Sequence, residues 1–286
     1  FEGFRVTRRH PWAVLAWAAV MLAANLASAL AIGLIAGPAW LEAERLAASA
    51  SPDPAAAAAL APRVLPAAFL YLVVQVVGAA VVNASVLRAL LRPERRAYVG
   101  FGRDEVRVIG LLAMFIAATF AASILLSIVL ALLGTVLGPL AAALAPAASL
   151  AVLILLTIRF SLAGPMTIAE HRFHFRDSWK ATRGWFGPLL GAELLAAALA
   201  MVVMFLGHIV FVGAAGAMLV AQGGSLLDLT SRFTPDFSTV ELMMRPLPLF
   251  YVAVLSVLYA LALVILVAPP VELYRALHGE GQAQRP

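Results

Sequence analysis

The 286-residue chain contains no cysteine. That excludes disulfides, thiolate metal sites, covalent haem attachment and a cysteine nucleophile in one step. Charge is scarce too: 12% of residues are Asp, Glu, Lys or Arg, about half the ~25% of an ordinary soluble domain. Lysine is nearly missing, since Lys180 is the only one among 20 basic residues. That bias, with the abundance of alanine, points to GC-rich bacterial coding. No P-loop, dinucleotide fingerprint or nucleophile elbow occurs in a suitable context, so the common enzyme signatures are absent. What remains is apolar: 63% of residues are hydrophobic and the mean hydropathy is +0.98. A chain of this composition has lipid as its solvent.

Six apolar runs of roughly membrane-spanning length follow, at about 12–35, 67–91, 106–133, 140–163, 186–220 and 249–268. The expected fold is all-α. It is a polytopic membrane protein with one membrane domain over 1–286, six transmembrane helices arranged as three hairpins, and basic interfacial segments. Residues 36–66 and 221–248 read as outer loops; 92–105 and 164–185 read as cytoplasmic interfacial segments. Five prolines between Pro38 and Pro66 break the first outer loop around a short Ala-rich helix. Leu226, Leu227, Phe233, Phe237 and Leu242 suit the second to the membrane surface, and Pro269-Pro270 marks a kink or the end of the last span. The first run exceeds the ~7–15 residues of a signal-peptide core and reads as a retained span, although Ala27-Ser28-Ala29 resembles a cleavage site. The first residue is Phe1, not Met, which leaves room for residues upstream.

The charges orient this arrangement. Arg5, Arg8 and Arg9, the six arginines from Arg88 to Arg107, the five basic residues from Arg159 to Arg183, and Arg275 with Arg285 all fall at one set of span ends. Only Arg45, Arg63, Arg232 and Arg245 fall at the other, a division of 16 against 4 among the 20 basic residues. Basic residues accumulate in cytoplasmic loops near spans, so both termini are expected inside, in a bacterial inner membrane. The net charge of +5 does not indicate nucleic acid, because the charges flank spans instead of gathering on a soluble domain. Anionic lipid headgroups are the expected partners.

A faint internal repeat supports the hairpin reading. Phe4-Arg5-Val6-Thr7-Arg8 resembles Trp179-Lys180-Ala181-Thr182-Arg183, and Val86-Leu87-Arg88-Ala89-Leu90 resembles Leu273-Tyr274-Arg275-Ala276-Leu277. Phe101-Gly102-Arg103-Asp104-Glu105-Val106-Arg107 enters the middle hairpin in a weaker version of the first pattern.

Candidate chemistry is sparse. His171 and His174, with Glu170, carry two imidazoles at i, i+3, but the H-E-x-x-H order is missing and no third ligand is evident. An interfacial helix accounts better for the stretch. Phe173, Trp179 and Phe186 would enter the headgroup boundary while Arg172, Arg176, Lys180 and Arg183 meet phosphates. Within the spans the polar groups are Asn25, Gln75, Asn83, Arg159, Glu193 and His208. Arg159 and Glu193 lie at similar depth, which suits an intramembrane ion pair offsetting two desolvation costs. Such a pair reads as interhelical glue or as a proton or substrate relay; glue takes precedence because no further acidic or His partner lies near. Gly33/Gly37, Gly134/Gly138 and Gly187/Gly191 have the spacing that lets helices approach. No metal or cofactor site is expected.

Ser178-Trp179-Lys180-Ala181-Thr182-Arg183-Gly184, between spans four and five, resembles the S-W-x-x-T-x-G pattern of a broad group of bacterial integral membrane proteins. The group includes the membrane domain of some glycerophosphodiester phosphodiesterases and related stand-alone proteins of unknown function. Phe160-Ser161-Leu162-Ala163-Gly164-Pro165-Met166 is similar to that group's break at the end of the preceding helix. The resemblance implies a six-helix membrane module; it does not imply esterase activity, since no soluble catalytic domain accompanies it here.

The expected function is therefore that of a noncatalytic inner-membrane accessory or organising subunit, packing with itself or with a larger membrane complex. The alternative is a transporter or lipid-handling protein with an anionic-headgroup site between hairpins, using Arg159, Glu193 and Arg172 or Arg176. A membrane enzyme with Glu193 or Glu170 as its acid is the third class.

Overall fold

The computed structural model describes residues 2–49, 53–92, 99–221, 223, 241 and 244–283. Among them the regular elements are all helices: α1 (Glu2–Arg9), α2 (Pro11–Ile35), α3 (Pro38–Ala47), α4 (Pro54–Leu91), α5 (Arg103–Leu137), α6 (Pro139–Phe160), α7 (Ala163–Glu170), α8 (Phe175–Ala181), α9 (Phe186–Ala221) and α10 (Pro246–Ala283). Six stretches are long and apolar enough to cross a membrane: α2, α4, α5, α6 continued through α7, α9, and Pro248–His278 of α10. The chain is a multi-pass membrane protein. The expected surface-lying residues Leu226, Leu227, Phe233, Phe237 and Leu242 lie outside the described residues, as do Arg95, Arg96 and Arg285.

Three boundaries differ from the sequence reading. The second long helix starts at Pro54 rather than Ala67, so much of the expected first outer loop is helical. Alanine has the highest helix propensity and Pro54 sits in the first turn, where a missing N–H costs nothing. Asp53 Oδ1 also accepts the Ala55 N–H at 2.9 Å, satisfying one open donor of that turn. In the last helix, Pro269 and Pro270 lie inside continuous α10. In lipid a helix is the arrangement that keeps the remaining backbone groups paired, which lets it run through prolines. Finally, 164–185 holds two short helices, α7 and α8. The left-handed backbone of His171, φ 57°, ends α7, and its Nδ1 lies 3.1 Å from Asp104 Oδ1.

The chain forms two compact units. The first comprises Phe1–Val6, Asn83–Ala198 and Ile265–Pro286. Here α5 turns into α6 through Gly138, whose φ of 57° favours glycine. The two helices pack along each other, α5 also meets α7, and α8 packs on α6 and α7. Val86, Leu90, Val108, Leu111, Ile158 and Ile168 are buried.

The second unit comprises Thr7–Val82 and Leu199–Val264. Trp17, Ala24, Ala80, Phe211, Ala260 and Val264 are buried. A Cβ at Gly78 would lie 2.7 Å from Ala24 Cβ, so α2 and α4 touch almost backbone to backbone. Gly207 receives the Leu258 side chain in the same way, between α9 and α10. Two of the three glycine pairs singled out by spacing behave differently: Gly134, Gly138, Gly187 and Gly191 face open space.

Candidate functional site

A helix leaves its last carbonyls without intrahelical partners. At the end of α6 the Ser-Trp-x-x-Thr stretch of α8 closes that gap. Ser178 Oγ donates to the Arg159 carbonyl at 2.8 Å. Thr182 Oγ1 lies one helical turn further on, 3.4 Å from the same oxygen and 2.9 Å from the Ser178 carbonyl. Both hydroxyl residues are fully buried. Between them Trp179 packs on Phe160, ring centroids 5.4 Å apart, and Phe160 stacks on Phe175 at 3.8 Å. The i, i+1, i+4 spacing thus places two donors and one aromatic on the face that meets α6.

The same contact organises Arg159. Its guanidinium carbon lies 5.4 Å from the Trp179 ring centre and 5.3 Å from that of Phe186. Both rings attract the cation by their negative faces. Nε and Nη1 are buried with no hydrogen-bond partner among the described residues. Arg159 and Glu193 therefore do not form the ion pair their depth suggested. The cation is held by aromatic faces instead, and Glu193 is half-buried on α9.

Of the other basic candidates, Arg172, Arg176, Lys180 and Arg183 are exposed. Arg172 is partly engaged, with Nη2 3.0 Å from Glu170 Oε2 and Nε 3.0 Å from His174 Nε2. Arg176, Lys180 and Arg183 make no ion pair among the described residues. His174 is buried between two carboxylates, 3.0 Å from Glu170 and 2.9 Å from Asp177. Phe173 rests its ring edge on Gly110 while staying largely exposed. No group of three His, Asp or Glu side chains among the described residues is arranged to hold a metal ion.

Sequence reasoning missed the acidic side of the basic face. Glu105, read only as part of an Arg-rich run, is buried and pairs with Arg88 at 2.5 Å. Its Oε2 also accepts the Gly102 N–H at 2.8 Å, closing the start of α5. Asp104 gathers Arg107 at 2.7 Å and His171 at 3.1 Å. These residues line an open cavity of about 650 Å³ that Arg103 also borders. Arg275, the repeat counterpart of Arg88, donates to the Leu90 carbonyl at the end of α4 and pairs with Glu272 at 2.9 Å.

The second unit holds a polar network. Gln75 Nε2 donates to Asn25 Oδ1 at 3.0 Å and to Ser28 Oγ at 3.2 Å, while Asn25 Nδ2 donates to Ser256 Oγ at 3.2 Å. Ser256 in turn donates to the Val252 carbonyl at 2.8 Å. Three helices, α2, α4 and α10, are tied together where an unpaired polar group would be costly. Asn25 and Gln75 were visible as polar residues inside spans; the two serines that complete the network were not distinguishable from other small residues.

Fold and side-chain clusters define a helical multi-pass membrane protein with a basic, partly neutralised cluster in its first unit and a polar network in its second. No family model, curated protein or solved structure matches the chain.

Proposed function

We propose that the chain is a noncatalytic accessory or organising subunit of a bacterial inner membrane, with both termini cytoplasmic and its spans paired as three hairpins. Kinship with the six-helix modules that share the Ser-Trp-x-x-Thr-x-Gly pattern is part of the proposal. The observation that carries it is the bareness of α5. Its buried residues are confined to Glu105, Val108 and Leu111, and its most apolar stretch has none. Along that stretch Thr119, Ser123 and Ser127 repeat at i, i+4 and i+8, each hydroxyl spent on its own helix backbone at 2.8 to 2.9 Å. Such a row presents a small, satisfied face against which another helix packs closely. The occupant is a second copy or a subunit of a larger complex.

The absence of native cysteine makes the test clean. Ser123→Cys, labelled with a thiol-reactive benzophenone and irradiated in native membranes so that the probe inserts into any neighbouring C–H bond, should give a discrete protein adduct, whereas Leu125→Cys on the opposite face should not. Mild-detergent purification should recover the same partner. Equal adducts at both positions, or recovery only as a partner-free monomer, would overturn the proposal.

A lipid-handling role is the second reading, and Arg159 favours it. A half-buried guanidinium held against two aromatic faces near the end of a span suits a lipid phosphate. Arg176, Lys180 and Arg183 add exposed positive charge on the following segment.

A further inference from the structure

We propose that the cavity between α2, α4 and α10 in the second unit binds a single-chain lipid bearing an uncharged hydrogen-bonding group. The cavity encloses about 200 Å³. That is below the ~300–1,000 Å³ of pockets that enclose drug-sized ligands, which suits one alkyl chain and not two. On α10 it follows Pro248, Val252, Leu255 and Tyr259, a single helix face about 16 Å long. The shape is that of a slot.

One end of the slot is polar. Asn25, Ser28 and Gln75 line it where Asn25 meets Ser256, whereas Pro248 and Leu249 lie about two turns away along α10 among apolar neighbours. The network leaves hydrogen-bonding capacity over. Gln75 Nε2 uses both its hydrogens within the network, and Asn25 Nδ2 uses one. Gln75 Oε1, the second Asn25 N–H and the Ser28 hydroxyl hydrogen have no partner among the described residues. One acceptor and two donors of the network therefore remain for the occupant, and Tyr71 and Tyr259 also line the cavity, which fits a hydroxyl or carbonyl.

The lining also rejects charge. Among the described residues, no Asp, Glu, Lys or Arg borders the cavity. A phosphate or ammonium there would be an unpaired ion inside the membrane, a cost the site does nothing to offset. Alkyl chain, hydrogen-bonding head and neutrality together define the ligand class.

The probe is a photoreactive octanol carrying a diazirine on its chain, applied to the full chain in lipid nanodiscs, with labelled peptides mapped by mass spectrometry. Labels should concentrate on the α2, α4 and α10 segments that line the slot, and excess octanol should displace them where octane does not. Gln75→Leu should weaken labelling about fivefold, the equivalent of one hydrogen bond. Leu255→Trp, which fills the slot without touching the network, should abolish it, and carries the test should Gln75→Leu fail to fold. Labels spread evenly over exposed helix faces, equal displacement by octane, or undiminished labelling in Leu255→Trp would each overturn the proposal.

Discussion

The Ser178 hydroxyl closes the end of α6 by donating to the Arg159 carbonyl at 2.8 Å across 19 positions of sequence. A motif visible as a string of letters is thereby a clamp between two helices. Ser178→Ala should lower stability by about 1 kcal/mol, the usual net contribution of a buried hydrogen bond. Adding Thr182→Ala should cost more than the sum of the single changes, because each hydroxyl remains as a partial substitute for the other. The midpoint of SDS-induced unfolding from mild-detergent micelles measures both effects, and unchanged midpoints would remove the clamp.

Arg88 and the buried Glu105 form a pair whose members depend on each other. Arg88→Met leaves a carboxylate with 2% side-chain exposure opposite no cation, which should cost about 3–5 kcal/mol. The double change Arg88→Met with Glu105→Met should recover most of that loss, since an apolar pair of similar volume has no ion to strand. A double variant no more stable than Arg88→Met would show that the hydrogen bond to Gly102, not the ion pair, is the main contribution of Glu105.

Gly78 and Gly207 both sit at helix contacts but should respond differently to alanine. A Cβ at Gly78 meets Ala24 Cβ at 2.7 Å, and that atom moves only if the two helices part. Gly78→Ala should cost about 1–3 kcal/mol, as overpacking generally does. At Gly207 the obstacle is the end of the Leu258 side chain, which turns away by changing rotamer. Gly207→Ala should therefore be the milder change although an added Cβ there meets its neighbour at a shorter distance, and the same unfolding midpoints rank the two.

These residues show what sequence makes legible and what it hides. Span positions could be read because length and hydropathy are local properties, and α9 coincides with its apolar run within a residue. The start of α4 was hidden by counting Pro54, Pro62 and Pro66 as breakers, when the first opens the helix and lipid tolerates the others. Glycine spacing discriminated little for a different reason. Close approach depends on the residue opposite, and nothing near Gly78 in the sequence points to Ala24. Burial of Glu105 is likewise set by Arg88, which belongs to another helix. The Ser-Trp-x-x-Thr stretch could be singled out, yet its role as a clamp required seeing the Arg159 carbonyl beneath it.

Arg159 and the exposed cations of α8 and the turn beyond it should bind anionic lipid in ways that salt separates. Arg176, Lys180 and Arg183 are exposed, so their attraction, about 1 kcal/mol each, is screened over the ~8 Å Debye length of physiological salt. Arg159 holds Nε and Nη1 out of solvent beside Trp179 and Phe186, where screening is weak. Native mass spectrometry of the full chain, purified with phosphatidylglycerol at low and high salt, should show one fraction of bound lipid that salt removes and one that it does not. Changing Arg176, Lys180 and Arg183 together to Gln should eliminate the first fraction. Arg159→Gln should eliminate the second while leaving the salt-sensitive fraction in place. Were the salt-resistant lipid to survive Arg159→Gln, the aromatic faces would be the whole account of that half-buried cation and the lipid-handling reading would fall.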